Sequence, residues 1–285
     1  MRTVGLIGLG LLGSALADRL IAAGMRVIGY DLLDARRREF CDAGGQSAKS
    51  AAEVVAQCDP IVLSLPDSSV VSSLVDSVQS QLRSGLLVID TSTGDPVETA
   101  ALGESLAKRG VEYLDATVAG SSALVRDGQA IVMAGGTEQA FRQAGYVLGC
   151  LAKRVFHVGP WGSGSRMKLV VNLVLGLNRA ALAEGFTLAR ALMLDLPTTL
   201  EILQAGAAYS AVMDAKGAKM ISGDFTPQAR LSQHAKDVRL VLEAARRTGI
   251  ELPLSKVHRE LLARAEAAGF GELDNSAILR AFEKL

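Results

Sequence analysis

Charge of one sign, paired cysteines and an uninterrupted apolar run are all missing from this chain. Its 285 residues hold 30 basic and 30 acidic side chains, which cancel. A balanced surface gives no electrostatic footing for nucleic acid or an anionic membrane, so neither is expected as a partner. Cys41, Cys58 and Cys150 form an odd, scattered set without metal-like pairing. They are expected as buried free thiols, in a reducing compartment and a cytoplasmic protein. His157, His234 and His258 show no ligand spacing, so no metal is expected either. The most apolar long stretch, Leu169 to Leu194, contains Asn172, Arg179, Glu184 and Arg190, a poor composition for a membrane span. The apolar opening after Arg2 imitates a signal peptide, but Gly5, Gly8, Gly10 and Gly13 would break its helical core. No internal repeat and no low-complexity linker interrupts the sequence.

What is present begins with glycine. Thr3 to Ile7 is apolar enough for a short buried strand, and Gly8-Leu9-Gly10-Leu11-Leu12-Gly13 comes directly after it. A helix over Ser14 to Ala23 and a second strand over Met25 to Tyr30 lead to Asp31, the acid that a dinucleotide-binding fingerprint places about 20 residues beyond its glycines. Gly8 permits the tight turn, Gly10 lets the backbone approach a pyrophosphate, and Gly13 lets helix and strand pack closely. A carboxylate at Asp31 can accept from both adenosine ribose hydroxyls and would repel a 2′-phosphate. NAD is therefore favoured, with NADP possible. Arg36 to Arg38 lie on the next helix and read as a solvated face that could soften the preference.

The first half continues to alternate. Strands are expected at Ile61 to Leu65, Leu86 to Asp90 and Glu112 to Val118, with helices near Ala51 to Gln57, Val70 to Gln81 and Val97 to Lys108. Such alternation predicts a Rossmann-like, doubly wound parallel sheet with helices on both faces. Ala130 to Ala134 and Arg154 to Val158 add later strands, after which strand signals stop. One long interdomain helix over Ser165 to Leu194 and further helices near 198–205, 211–221, 228–248 and 254–268 predict an all-α second domain. Leu231, Ala235, Val238, Leu242 and Ala245 form an apolar stripe at helical spacing, read as core. The expected domains are residues 1–161 and 162–285.

Two regions carry candidate chemistry. In Gly162-Ser-Gly164-Ser-Arg-Met-Lys168-Leu-Val-Val-Asn172, glycines open a helix that then presents an amine and an amide four residues apart, on one face. Backbone N–H groups at that helix start are expected to favour an anion, such as a small acid. Ligands on an open parallel sheet bind at the carboxyl ends of the strands. Leu65-Pro66, Asp90 to Thr93 and Asp115 to Ser122 occupy such ends.

Together these segments resemble the β-hydroxyacid dehydrogenase family, which includes 3-hydroxyisobutyrate dehydrogenase and tartronate semialdehyde reductase. The resemblance runs over essentially the whole chain and touches four motifs: Gly8 to Gly13, Asp115 to Ser121, Gly162 to Asn172 and Lys236-Asp237. It implies hydride transfer between a nicotinamide cofactor and a small 3-hydroxy acid or its semialdehyde, with Lys168 as general acid and base. It further implies substrate contacts from Ala119, Gly120, Ser121 and Asn172. Cofactor contacts would come from Gly8, Gly10, Leu11, Leu12, Gly13, Asp31, Leu65, Pro66, Thr93 and Lys236. A homodimer or homotetramer is implied as well. Lys168 can take a hydroxyl proton only when neutral, and burial would lower its pKa toward working pH.

One segment departs from the family form Asp-Ala-Pro-Val-Ser-Gly-Gly: this chain has Thr117, Ala119 and Ser121 in place of the proline, the serine and the last glycine. Ala119 lacks the hydroxyl that helps hold a substrate carboxylate, which Ser121 or Ser122 could supply instead. Three alternatives stand beside the family reading. A 6-phosphogluconate dehydrogenase would have a longer second domain with clustered basic residues. An imine reductase usually has Asp or Tyr in place of Lys168, and a non-catalytic cofactor-binding module would lack that lysine.

Overall fold

The computed structural model describes residues 2–283. The chain divides into two compact units, Met1–Lys168 and Leu169–Leu285. In the first unit the strands are β1 (Thr3–Ile7), β2 (Arg26–Tyr30), β3 (Gln46–Ser47), β4 (Ile61–Leu63), β5 (Leu87–Asp90), β6 (Glu112–Ala119), β7 (Ile131–Gly136) and β8 (Arg154–Gly159). Between them lie α1 (Leu11–Ala22), α2 (Asp34–Asp42), α3 (Ala51–Gln57), α4 (Ser68–Ser77), α5 (Pro96–Ala107), α6 (Ser122–Arg126) and α7 (Glu138–Leu151). One sheet forms in the order β3-β2-β1-β4-β5-β6-β7-β8. Side chains alternate across it, so Val4 and Leu6 enter one apolar layer while Ile7 enters the other.

The sheet is parallel-dominated, as expected of a Rossmann-like domain, with one antiparallel pair. β1 to β6 run parallel, but β7 pairs antiparallel with β6, and β8 runs with β7. Residues 120–130, with only the single-turn α6, are too short for the crossover a parallel return needs. The reversal decides where the next helix starts. Gly159, at the end of β8, is level with Gly135 in β7, which in turn is level with Asp115 in β6. The chain therefore leaves the sheet beside the middle of β6 rather than beyond its carboxyl end. Helix α7 is not among the sequence-based expectations, although Ala140, Ala144, Val147, Leu148 and Leu151 make a buried stripe along it. Gly145 and Gly149 lie on its open side and weaken the helical signal.

A long helix, α8 (Ser163–Ala191), carries the chain into the second unit. By length and composition it could cross a membrane; 44% of its most apolar window is buried within the fold. The second unit continues with α9 (Leu196–Ala205), α10 (Ala211–Ser222), α11 (Leu231–Thr248), α12 (Pro253–Ala267) and a 3-10 helix over Asn275–Phe282. Phe186, Met220, Leu231, Val238, Leu262 and Ile278 sit in its core; of the α11 stripe, Leu231, Ala235 and Val238 belong to it and Leu242 packs against it. Asp274 is a fully buried carboxylate at its centre. It accepts from Lys216 Nζ at 2.9 Å, from the N–H groups of Gln228 and Ala229, and from the Ser276 N–H and hydroxyl. Burial pushes this carboxyl up, but Lys216 and these donors outweigh it and hold it below its ordinary range. His234 and His258 pack tilted together at 5.2 Å, against Gly176, where a Cβ would meet both rings. Of the cysteines only Cys58 is buried; Cys41 is exposed and Cys150 intermediate.

Candidate active site

The glycine loop is built as its chemistry requires. Gly8 sits at φ +95°, and a Cβ there would lie 2.2 Å from the Ser64 carbonyl oxygen. A Cβ on Gly13 would lie 2.0 Å from the Gly8 carbonyl oxygen, so α1 rests on the loop with no room between. At Gly10 the nearest atom to a Cβ is the tip of Arg36, 3.6 Å away, which leaves the backbone approachable. Gly10 also caps α1 without a side-chain hydrogen bond, leaving the first amides of the helix to a ligand. Leu11 is exposed at the helix start, whereas Leu12 packs on the core. These residues fit a dinucleotide pyrophosphate.

Asp31 is more heavily engaged than its place in the sequence suggests. Its Oδ2 accepts from the Leu9 N–H at 2.8 Å and pairs with Arg36 at 3.3 Å; its Oδ1 accepts from the Leu33 N–H at 2.9 Å. Arg37 donates to the Asp31 carbonyl oxygen and lies over the Tyr30 ring. Arg36 and Arg37 are therefore not a solvated face: both converge on Asp31, and only Arg38 is exposed. A carboxylate offers about four acceptor positions, and three are taken. With Arg36 in place, one acceptor position on Asp31 is left open.

The carboxyl ends of β1, β2, β4, β5 and β6 share one edge of the sheet, because these strands are parallel. On that edge Leu65 donates its N–H to the Ser92 hydroxyl at 2.9 Å, tying the loop after β4 to the loop after β5. Pro66 is exposed and Thr93 half-buried in those loops. Beneath them Asp90 is buried, accepting from the Tyr113 hydroxyl and the Ser92 N–H; burial raises its carboxyl despite both bonds. Ala119 ends β6. Gly120 comes next at φ +151°, and the Ser121 hydroxyl accepts from the Leu124 N–H as the cap of α6.

Lys168 reaches the same edge. It is 9% exposed, and its Nζ donates to the Val118 carbonyl oxygen at 2.6 Å. The start of α8, however, does not wait for an external acid. Asp115 accepts from the Gly162 N–H at 3.0 Å and from the Ser165 N–H at 2.8 Å, so an internal carboxylate already fills the anion position. Burial pushes the Asp115 carboxyl up to about 6, against the pull of those two N–H groups. Its partners lie 47 and 50 residues away in sequence, beyond any local signal.

In the second unit Asn172 is buried, and its Nδ2 donates to Asp237 Oδ2 at 2.7 Å. Lys236 Nζ pairs with Asp237 Oδ1 at 3.1 Å. Asp237 thus joins two residues that the motifs presented separately, and its bond to Asn172 uses one of the two Nδ2 hydrogens. No group of three or more potential metal ligands occurs among the described residues.

Residues 3–159 match the family described as the NAD binding domain of 6-phosphogluconate dehydrogenase. Residues 162–282 match the one described as NAD-binding of NADP-dependent 3-hydroxyisobutyrate dehydrogenase. The chain is 32% identical to 2-(hydroxymethyl)glutarate dehydrogenase of Eubacterium barkeri, across 99% of this chain and 95% of that protein. It is 31% identical to glyoxylate/succinic semialdehyde reductase 1 of Arabidopsis thaliana, across 98% and 97%. A solved 3-hydroxyisobutyrate dehydrogenase from Salmonella typhimurium superposes with a TM-score of 0.91 at 27% identity, covering 98% of this chain and 99% of that one. With its glycine loop, buried lysine and these relatives taken together, the chain belongs to the β-hydroxyacid dehydrogenase family, nicotinamide-dinucleotide-dependent oxidoreductases.

Proposed function

We propose that the protein interconverts a small 3-hydroxy acid and its semialdehyde, preferring NAD, with Lys168 as the general acid and base. The observation that carries this reading is the buried Lys168 amine at the ligand edge of the sheet, 2.6 Å from the Val118 carbonyl. The bound nicotinamide supplies the hydride acceptor or donor. In oxidation the neutral Lys168 amine takes the hydroxyl proton; in reduction its ammonium returns it to the forming alkoxide. Asn172, oriented by Asp237, offers its carbonyl oxygen to a substrate hydroxyl and its second Nδ2 hydrogen to a carboxylate. Further carboxylate contacts fall to the Gly120 to Ser121 backbone and to the Ser121 hydroxyl, because Ala119 has no hydroxyl and the Ser121 oxygen, which accepts from the Leu124 N–H, keeps its own hydrogen to donate. Lys236, held by Asp237, is assigned to the cofactor. Asp31 supports NAD over NADP. The active form is assigned as a homodimer or homotetramer, in keeping with the family resemblance.

The test monitors nicotinamide absorbance over a panel of 3-hydroxy acids and semialdehydes, with NAD(H) and NADP(H), and with Lys168→Ala as control. Lysine-dependent turnover favouring NAD(H) supports the assignment. Full turnover by Lys168→Ala, or cofactor binding with no turnover of any acid, refutes it.

A further inference from the structure

Three consecutive grips join β6 to the first two turns of α8, and all three lead to Lys168. Asp115 holds the Gly162 and Ser165 N–H groups. Thr117 donates its hydroxyl to the Gly164 carbonyl oxygen at 2.9 Å, with the Met133 carbonyl as a second acceptor at 3.3 Å. Val118 receives the Lys168 amine. Asp115 and Thr117 are two apart on the strand, so both side chains leave the same face. In an α-helix the Gly164 carbonyl is also the acceptor for the backbone N–H of residue 168. The Thr117 hydroxyl therefore acts on the peptide group that fixes the lysine backbone.

Packing allows no other register. A Cβ on Gly164 would lie 2.1 Å from the Asp115 carbonyl oxygen, and one on Gly135 would lie 2.5 Å from Asp115 Oδ1 and 2.9 Å from the Gly164 nitrogen. Helix and strand advance together: six helical residues from Gly162 to Lys168 cover about 9 Å, and three strand residues from Asp115 to Val118 about 10 Å. Thr117 is fully buried, and Asp115 nearly so. A threonine hydroxyl and a carboxylate in such surroundings need partners, and the partners they have are the helix that bears the amine.

We propose that Asp115 and Thr117 are positioning residues that set where the Lys168 amine stands during proton transfer. The proposal rests on the assignment of Lys168 as acid and base. Four variants are compared for kcat, KM and cofactor dissociation constant: Thr117→Val, Thr117→Ser, Asp115→Asn and Lys168→Ala. Thr117→Val keeps the shape and removes the hydroxyl; it should lower kcat about five- to tenfold, the scale of one lost hydrogen bond. Cofactor affinity should stay unchanged, and Thr117→Ser should recover most of the rate. Asp115→Asn should lower kcat about 100-fold by letting the helix start shift. Should it fail to fold, the threonine pair decides alone. Full kcat in Thr117→Val, or equal losses in Thr117→Val and Thr117→Ser, overturns the proposal. If Lys168→Ala itself turns over normally, the assignment of the lysine has failed. If it is inactive while Thr117→Val and Asp115→Asn are fully active, only the positioning role has failed.

Discussion

Replacing Arg36 by alanine should sharpen the preference for NAD. Arg36 stands 3.3 Å from Asp31 Oδ2 with a third of its side chain exposed, and it is the nearest group to the open side of Gly10. A 2′-phosphate on a ribose seated at Asp31 would therefore meet one repelling and one attracting charge at similar range. Two unit charges at about 4 Å interact by about 1 kcal/mol in water and about 4 kcal/mol near a protein surface. The exposure of Arg36 favours the lower half of that range, so losing it should cost NADP about 1–2 kcal/mol, or about 5- to 30-fold in affinity. NAD carries no charge at the 2′ position and regains an acceptor position on Asp31, so its affinity should change by less than about threefold. Titrating NADH and NADPH by nicotinamide fluorescence at low and high salt measures both terms. The salt dependence of NADPH binding should fall in the variant. Equal weakening of the two cofactors, or tighter NADPH binding, would refute the reasoning.

The same structure sets further outcomes. Asp274→Asn leaves the buried Lys216 without its charge partner, and should cost about 3–5 kcal/mol in urea unfolding; a loss below about 1 kcal/mol would contradict the buried-pair account. Gly13→Ala forces a methyl onto the Gly8 carbonyl and should destabilise by about 1–3 kcal/mol while weakening cofactor binding. Gly145→Ala, in helix α7 with nothing near its Cβ, should instead stabilise by about 0.5–1 kcal/mol; calorimetry on the pair reads the opposite signs. Burial, and then the Arg179 charge beside it, pull the His258 imidazole down from 6.5 to about 4. Between those values the unfolded chain binds a proton that the fold does not. The contribution of His258 is thus present above pH 6.5 and lost as the pH falls toward 4, about 3 kcal/mol in all. An imidazole resonance for His258 titrating near 6.5 in the folded protein would sink this.

The fold class was legible because α/β alternation and the glycine spacing are local demands. A tight turn needs Gly8, and helix–strand contact needs Gly13, so both are written where they act. The roles of Asp115 and Arg36 were not. Asp115 reads as part of a strand-end motif, and only the folded chain brings Gly162 and Ser165 to it. Arg36 and Arg37 come after an acid and two leucines in a charged helix, a pattern shared by solvated faces; their convergence on Asp31 depends on how α2 leaves β2. The reversal at β7 was hidden for another reason, since strand composition does not encode direction and only the shortness of residues 120–130 hints at it. Asp237 was visible as a motif member, but its bond to Asn172 joins residues 65 apart.

The interval from Gly164 to Lys168 works as a ruler. Its zero is the glycine pressed against the Asp115 carbonyl oxygen, and its mark is the amine at Val118. Each inserted residue would advance the mark by about 1.5 Å and swing it by about 100° around the helix. Substitution at the exposed Arg166 and Met167 between them leaves the ruler intact, whereas a single insertion or deletion discards it. Length, more than identity, is what descent must conserve in this stretch, and helical segments grafted here to alter substrate choice have to be matched by count before they are matched by chemistry.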